Sequence, residues 1–150
     1  MKITTRGRYA LRVMVDLAEH PCENCISLRD IAIRQGISQK YLESIVSVLV
    51  RNGLLDSVHG KDGGYRLTRP AKDYSVGEIL RLSEGSLVPV SCLDCSGEDP
   101  CGRVEDCKTR AVWDNLTALI NDYLDSVSIA DLIDSGAEKE GGGANGPGPR

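Results

Sequence analysis

Three residues, Gly36-Ile37-Ser38, constrain the fold of this chain more than any others. They separate two short segments whose apolar residues recur at helical spacing: Leu28, Ile31 and Ala32 before them, Leu42, Ile45, Val46 and Leu49 after them. Glycine breaks the first helix by accepting a left-handed backbone, and Ser38 caps the second. Ser27 caps the earlier helix, with Asp30 at its third position where the helix dipole favours a negative charge. Upstream, residues 5–20 carry a helical stripe of Leu11, Met14, Val15 and Ala18, with Arg6, Arg8 and Arg12 on the other side. The third helix runs through Asn52, and Gly53 closes it. There the period changes. Leu54 to His59 and Tyr65 to Arg69 read as strands around a tip of Gly60-Lys61-Asp62-Gly63-Gly64. Pro70 stops the second strand, and Ser75-Val76-Gly77-Glu78 is a capping box opening a short helix with Ile79, Leu80 and Leu82. Two helices across a tight glycine turn, followed by a glycine-tipped hairpin, predict a winged helix-turn-helix over residues 1–85. The expected class is mainly α with one small β-hairpin.

Residues 86–108 show no periodicity and hold Cys92, Cys95, Cys101 and Cys107. A stretch of that length without pattern is expected to be functional or disordered. Helical order returns over 109–127, where Trp113, Leu116, Ile120, Tyr123 and Val127 are spaced three and four apart, the rhythm of a helix that packs on another helix. Val112, Leu119 and Leu124 widen that stripe enough for one face toward the domain and one toward a partner. Ser128 caps a last short helix, so residues 109–135 read as a dimerisation helix plus a C-terminal helix. From Gly136 the Gly-, Glu- and Pro-rich tail, 136–150, is expected to be disordered.

The net charge of −4 argues against a nucleic-acid partner only as an average. Residues 1–70 hold 11 Lys/Arg against 7 Asp/Glu, whereas residues 71–150 hold 7 against 15. Partners meet local fields, so the basic half remains suited to DNA. No apolar run exceeds three residues, which excludes a transmembrane helix, and the N-terminus lacks the apolar core of a signal peptide. The expected location is the cytoplasm, with no membrane partner. Only two histidines, His20 and His59, are present and no nucleophile–base pair stands out, so an enzyme is not expected. In a reducing cytosol six cysteines read as metal ligands or redox thiols rather than disulfides.

A helix-turn-helix reads base edges with the exposed N-terminal end of its second helix. Here that end offers Ser38, Gln39, Lys40, Tyr41 and Glu43. His59, Lys61 and the glycine amides of the tip, Gly63 among them, suit a wing that meets backbone or minor groove. Arg6 and Arg8 stand at the start of the first helix, where amides and positive charge together favour phosphate.

At these residues the chain resembles a known family. The opening Met-Lys-Ile-Thr-Thr-Arg-Gly-Arg-Tyr-Ala-Leu, then Ser38-Gln39-Lys40-Tyr41-Leu42-Glu43, then Gly60-Lys61-Asp62-Gly63-Gly64-Tyr65-Arg66-Leu67, are similar to the Rrf2 family of bacterial transcriptional regulators, with its IscR-type and CymR-type branches. The resemblance covers about residues 1–135. It implies a homodimer that binds palindromic operators in double-stranded DNA. It also implies contacts from the N-terminal segment (Thr4, Thr5, Arg6, Arg8 and Tyr9), the start of the third helix and the wing. His59 departs from the Arg of many IscR-type members, and a neutral imidazole is the weaker minor-groove probe.

The resemblance also implies that Cys92, Cys101 and Cys107 match the cluster-binding cysteines of IscR-type proteins. Their fourth ligand is a His at the position of Arg110, and arginine cannot ligate. Cys95 is the natural substitute, giving C-x2-C-x5-C-x5-C, and four thiolates hold a 2Fe–2S or a 4Fe–4S cluster, the family favouring 2Fe–2S. Structural zinc and metal-free thiol sensing remain alternatives. Asp94, Glu98, Asp99, Glu105 and Asp106 either solvate this loop or lower a cluster's potential. Cys22 and Cys25 form a separate C-x2-C, a candidate redox pair. The expected function is a dimeric operator-binding regulator controlled by an iron–sulfur cluster and governing iron–sulfur assembly or sulfur and cysteine metabolism. The alternatives are a metal-free thiol-redox regulator of CymR type and a zinc-stapled protein-interaction module.

Overall fold

The computed structural model describes residues 1–21, 25–94, 101–102 and 105–140, and the side chains up to Gly136. Helix α1 spans Thr5–Glu19, α2 Leu28–Gln35 and α3 Gln39–Arg51. Strands β1 (Leu55–Val58) and β2 (Gly64–Leu67) pair antiparallel, with Leu55 opposite Leu67 and Val58 opposite Gly64. Helices α4 (Val76–Glu84), α5 (Arg110–Ser126) and α6 (Ile129–Glu140) complete the order. This is the winged helix-turn-helix that the sequence predicts.

The predicted punctuation accounts for the starts of α2, α3 and α4, and Thr4 adds a cap to α1 that the sequence reading did not mark. Thr4, Ser27, Ser38 and Ser75 each accept a backbone amide on their side-chain oxygen. Gly36 takes φ 63°, and its amide returns to Ala32 and Ile33, so α2 ends where only a residue without a Cβ is comfortable. The Ser75 box is half formed. Ser75 accepts the Glu78 amide, but the Glu78 carboxylate pairs with Arg69 instead of reaching back.

Both strands are shorter than the sequence suggests, ending at Val58 and Leu67. For β2 the cause is Tyr74. Its ring is wholly buried and its hydroxyl accepts the amides of Thr68 and Arg69, each at 2.9 Å, while donating to the Leu54 carbonyl at 2.9 Å. The backbone beyond Leu67 is thereby tied to a side chain. The hairpin also gains a short neighbour, because Ile26 and Tyr65 exchange both backbone hydrogen bonds.

The main core joins Val13, Met14 and Leu17 of α1 to Ile31, Leu42, Ile45, Leu49, Leu55, Tyr74 and Ile79. Ile129 of α6, fully buried, belongs to the same core. The buried face of α1 is rotated relative to the predicted stripe. Ala10, Val13, Met14 and Leu17 are buried, whereas Leu11, Val15 and Ala18 are half-buried. The rotation brings Asp16 inside, 1% exposed, against α2. A second cluster of Val76, Leu80 and Leu87 packs with Ile3, Leu11, Leu124 and Val127 beneath the start of α1. At the other end, α6 continues through Gly136 to Glu140. One glycine costs a helix about 1 kcal/mol, which the good helix formers that follow it in sequence offset. Cys22, Cys95, Glu98, Asp99 and residues 141–150 lie outside the described residues.

Candidate nucleic-acid interface and cysteine pocket

The structure brings the start of α1 and the start of α3 onto one surface. Thr4, Thr5, Arg6 and Arg8 are exposed at the first, and Ser38, Gln39, Lys40, Tyr41 and Glu43 at the second. Arg6 donates to the Ser44 carbonyl of α3 at 3.5 Å, and Tyr9 meets Tyr41 edge-to-face with ring centroids 5.8 Å apart. Arg8 donates to Thr5 Oγ1 at 3.2 Å. His59 and Lys61 are exposed on the hairpin. Gly63 differs from expectation, because its amide is already given to the Gly60 carbonyl within the turn. The polar reach of the tip therefore falls to the Lys61 and His59 side chains. The phosphate-type amides at the start of α1 are also partly taken. Glu84, at the end of α4, accepts from the Thr4 and Gly7 amides and the Thr4 hydroxyl.

Beneath this surface Asp16 fixes the angle between α1 and α2. Arg34 donates to its carboxylate at 2.6 and 3.0 Å, and Gln35 at 2.8 Å. Burial pushes the Asp16 carboxyl up, but the hydrogen bonds from Arg34 and Gln35 and the charge of Arg34 outweigh it and hold the group below the usual carboxylate range. Arg12 also reaches α2, donating to the side chain and the carbonyl of Gln35. Nothing in the apolar spacing marked Asp16 for this role. The sign was the single carboxylate on an otherwise buried turn.

Away from α3, Cys92, Cys101 and Cys107 border one small pocket with Leu93 and, from the start of α5, Arg110 and Trp113. Cys107 lies just ahead of α5. Hydrogen bonds from the hydroxyl and amide of Thr109, then the amide and charge of Arg110, pull its thiol below its ordinary value against a small opposing effect of burial. The donors suit a thiolate-held metal group in kind, with three sulfurs and no carboxylate among the described lining residues. Their arrangement is looser than expected: among the described residues no three His, Cys, Asp or Glu side chains converge closely enough to hold a metal ion. Bringing thiolates together concentrates negative charge, which only the bound metal compensates. Arg110 lines the pocket while pairing with Asp114 at 3.4 Å. Cys25, half-buried and free, stands beside Ile26 at the hairpin and is not among the residues that line this pocket.

Helix α5 divides the predicted stripe in two. Trp113, Ile120, Leu124 and Val127 are half-buried, while Val112, Leu116, Leu119 and Tyr123 are exposed. The exposed set recurs at spacings of four, three and four, so one apolar face is left open. Arg81 of α4 orients the helix by forking onto Asp125 at 2.7 and 2.8 Å and reaching Asn121 at 2.7 Å.

Comparison with known proteins agrees with this architecture. Residues 3–135 match the Rrf2 family, described as iron-dependent transcriptional regulators. The chain is 40% identical to protein rrf2 of Nitratidesulfovibrio vulgaris, over 89% of this chain and 87% of that one. It is 38% identical to the HTH-type transcriptional regulator IscR of Erwinia tasmaniensis, over 90% and 80% respectively. Among solved structures it is similar to T. potens IscR, with TM-score 0.74, 38% identity and coverage of 97% of this chain and 94% of that one. It is also similar to CymR, the global cysteine regulator of B. subtilis, with TM-score 0.72, 35% identity and coverage of 90% and 98%. The chain is a member of the Rrf2 family of transcriptional regulators. The family description and the names of the IscR and CymR relatives are those of regulators, in line with the expectation that the chain is not an enzyme. Among the described residues no helix is long and apolar enough to cross a membrane.

Proposed function

We propose that this protein is a homodimeric, cytoplasmic, operator-binding regulator whose DNA affinity or site choice is set by an iron–sulfur cluster on the Cys92–Cys107 segment. The observation that carries the reading is the grouping of three thiols at the foot of α5, in a chain that also presents the exposed Arg6–Lys40 surface. Cys92, Cys101 and Cys107 would hold the cluster, with Cys95 as fourth ligand, and 2Fe–2S is the favoured type. The bound group would supply a redox-sensitive tie between the segment before α5 and α5 itself. A change of tie alters DNA binding only through a difference in free energy between two arrangements of the protein.

The residues of the chain divide the remaining work. Gln39, Lys40, Tyr41 and Glu43 face the major groove from α3. Thr4, Thr5, Arg6, Arg8 and Tyr9 meet phosphate and sugar beside them, and Lys61 and His59 extend the contact along the wing. The open stripe of Val112, Leu116, Leu119 and Tyr123 takes a second copy of α5, which sets two recognition helices on a palindromic site. The regulated genes belong, on this reading, to iron–sulfur assembly or to sulfur and cysteine supply.

Anaerobic purification tests the cluster. A brown protein with bound iron and sulfide and visible charge-transfer bands supports it, and a colourless, iron-free protein after reconstitution overturns it. A second reading, metal-free thiol sensing, is favoured by the Cys107 thiol, which the hydrogen bonds of Thr109 lower beside Arg110. It predicts the colourless result together with DNA binding that responds reversibly to peroxide and thiol reductant. Stoichiometric zinc without DNA binding would support the interaction module instead.

A further inference from the structure

The segment that carries Cys92 is fastened to the start of α1 at three levels. Glu84 Oε1 accepts the Thr4 amide at 2.8 Å, the Thr4 hydroxyl at 2.8 Å and the Gly7 amide at 3.0 Å. Five residues on, the Pro89 carbonyl accepts from the Met1 ammonium at 3.1 Å. Between them Leu87 is buried against Val76 and Leu80, with Ile3 and Leu11 packed on the same cluster. The sequence of α1 is fitted to this contact, since a Cβ on Gly7 would overlap Glu84 Oε1 and press on Leu80. A carboxylate on first-turn amides is favoured twice, by the hydrogen bonds and by the helix dipole. From Pro89 the chain reaches Cys92 in three residues.

We propose that Glu84 is the positioning residue through which the cysteine segment governs the DNA-facing start of α1. This rests on the reading of residues 92–107 as the sensing segment and of Thr4–Tyr9 as a DNA contact. While the segment after α4 keeps its present course, Glu84 holds Thr4 and Gly7 and so fixes the direction in which Thr5, Arg6 and Arg8 leave the helix. A change at the cysteines that displaces residues 86–93 withdraws the carboxylate, frees the first-turn amides and loosens that set of side chains. The coupling is a physical contact with two arrangements, which is what transmission between two sites requires. Because the carboxylate is also a fixed negative charge on the Thr4 and Gly7 amides, its withdrawal changes the field that phosphate meets.

The test uses the full chain in a Cys22→Ser, Cys25→Ser background, with the remaining cysteines free or alkylated by iodoacetamide. Hydrogen exchange is read at the Gly7 amide, and affinity is read for a mixed-sequence DNA duplex. Alkylation should speed Gly7 exchange by about tenfold or more, as expected when a protecting contact opens locally. Glu84→Ala should show fast exchange already, with no further response to alkylation. Glu84→Gln keeps an acceptor oxygen and should retain both the protection and its dependence on the cysteines. DNA affinity should follow the same pattern. Gly7 exchange that ignores alkylation in the Glu84 protein, or that responds equally in Glu84→Ala, overturns the proposal. A protein that binds no DNA while its Gly7 exchange behaves as expected would overturn the proposed function and leave the coupling standing.

Discussion

Helices α1 and α5 are similar in length and opposite in how their faces are satisfied. In α1, six of 15 residues are buried, including a carboxylate with every oxygen engaged. In α5, none of 17 residues is buried, and Leu119 and Tyr123 are 67% and 68% exposed. The difference separates two kinds of amphipathic helix. One is completed by its own chain. The other presents a second apolar face that the described residues leave open, and its exposed stripe is where an association energy would be found.

Breaking the closed side should have the largest effect. Arg34→Ala leaves the Asp16 carboxylate buried with Gln35 alone, and should cost about 3 kcal/mol in urea unfolding. The same pair gives a pH signature. The folded Asp16 carboxyl is held below its unfolded value, so its contribution is fully present above about pH 4 and is lost as the pH falls through the folded value. Asp16→Asn should remove that part of the acid slope, and an unchanged slope would refute the assignment. Next comes Tyr74→Phe, which takes the partner from the Arg69 amide and one of two or more partners from the Thr68 amide and the Leu54 carbonyl at the base of the hairpin. An expected loss of about 2 kcal/mol should appear in unfolding, with faster exchange at Thr68 and Arg69. On the surface the effects shrink. Lys40→Ala should weaken DNA binding evenly across sequences and lower the salt slope by about one per replaced charge, and a normal slope would move the interface elsewhere. The smallest change in stability belongs to the open side. Leu119→Glu should shift the unfolding free energy of the separated protomer by less than about 0.5 kcal/mol. The same substitution should convert a dimer to a monomer in sedimentation, and a persisting dimer would place the interface off α5.

The contrast also explains what could be read in advance. Caps and breaks are local chemistry, so Ser27, Gly36, Ser38 and Ser75 showed where helices begin and end. The face of α3 was equally plain, because Leu42, Ile45, Val46 and Leu49 form one narrow stripe with polar residues opposite. α1 was harder, since its apolar residues nearly surround it and the neighbour decides which of them go deepest. Candidate DNA-facing residues were legible because exposed polar groups at a helix start need no partner to be noticed. The Glu84 contact was not, because 77 residues separate it from Gly7 and neither residue carries a pattern. The end of β2 at Leu67 escaped for the same reason, as it depends on a tyrosine hydroxyl arriving from outside the hairpin. Among the cysteines, spacing suggested a set of four, while the loose arrangement of the three described thiols depends on contacts with α5 that spacing does not encode.

Ile129 gives the fold an order of assembly. It fills a place in the core built by residues 10–79, and its amide is donated to the Tyr74 carbonyl while Val76 donates to the carbonyl of Val127. The winged-helix half is therefore unfinished until the last helix returns to it. A nascent chain that has released only its first 85 residues lacks the side chain that seals its own interior. The native structure must close a loop of some fifty residues, an entropic cost that grows only slowly with length. The segment enclosed by that closure contains all four cysteines of the loop and the whole of α5. The cysteine segment and α5 are thus threaded between two parts of one core, and a chain that stops within them is expected to lose the side chain that completes the winged helix.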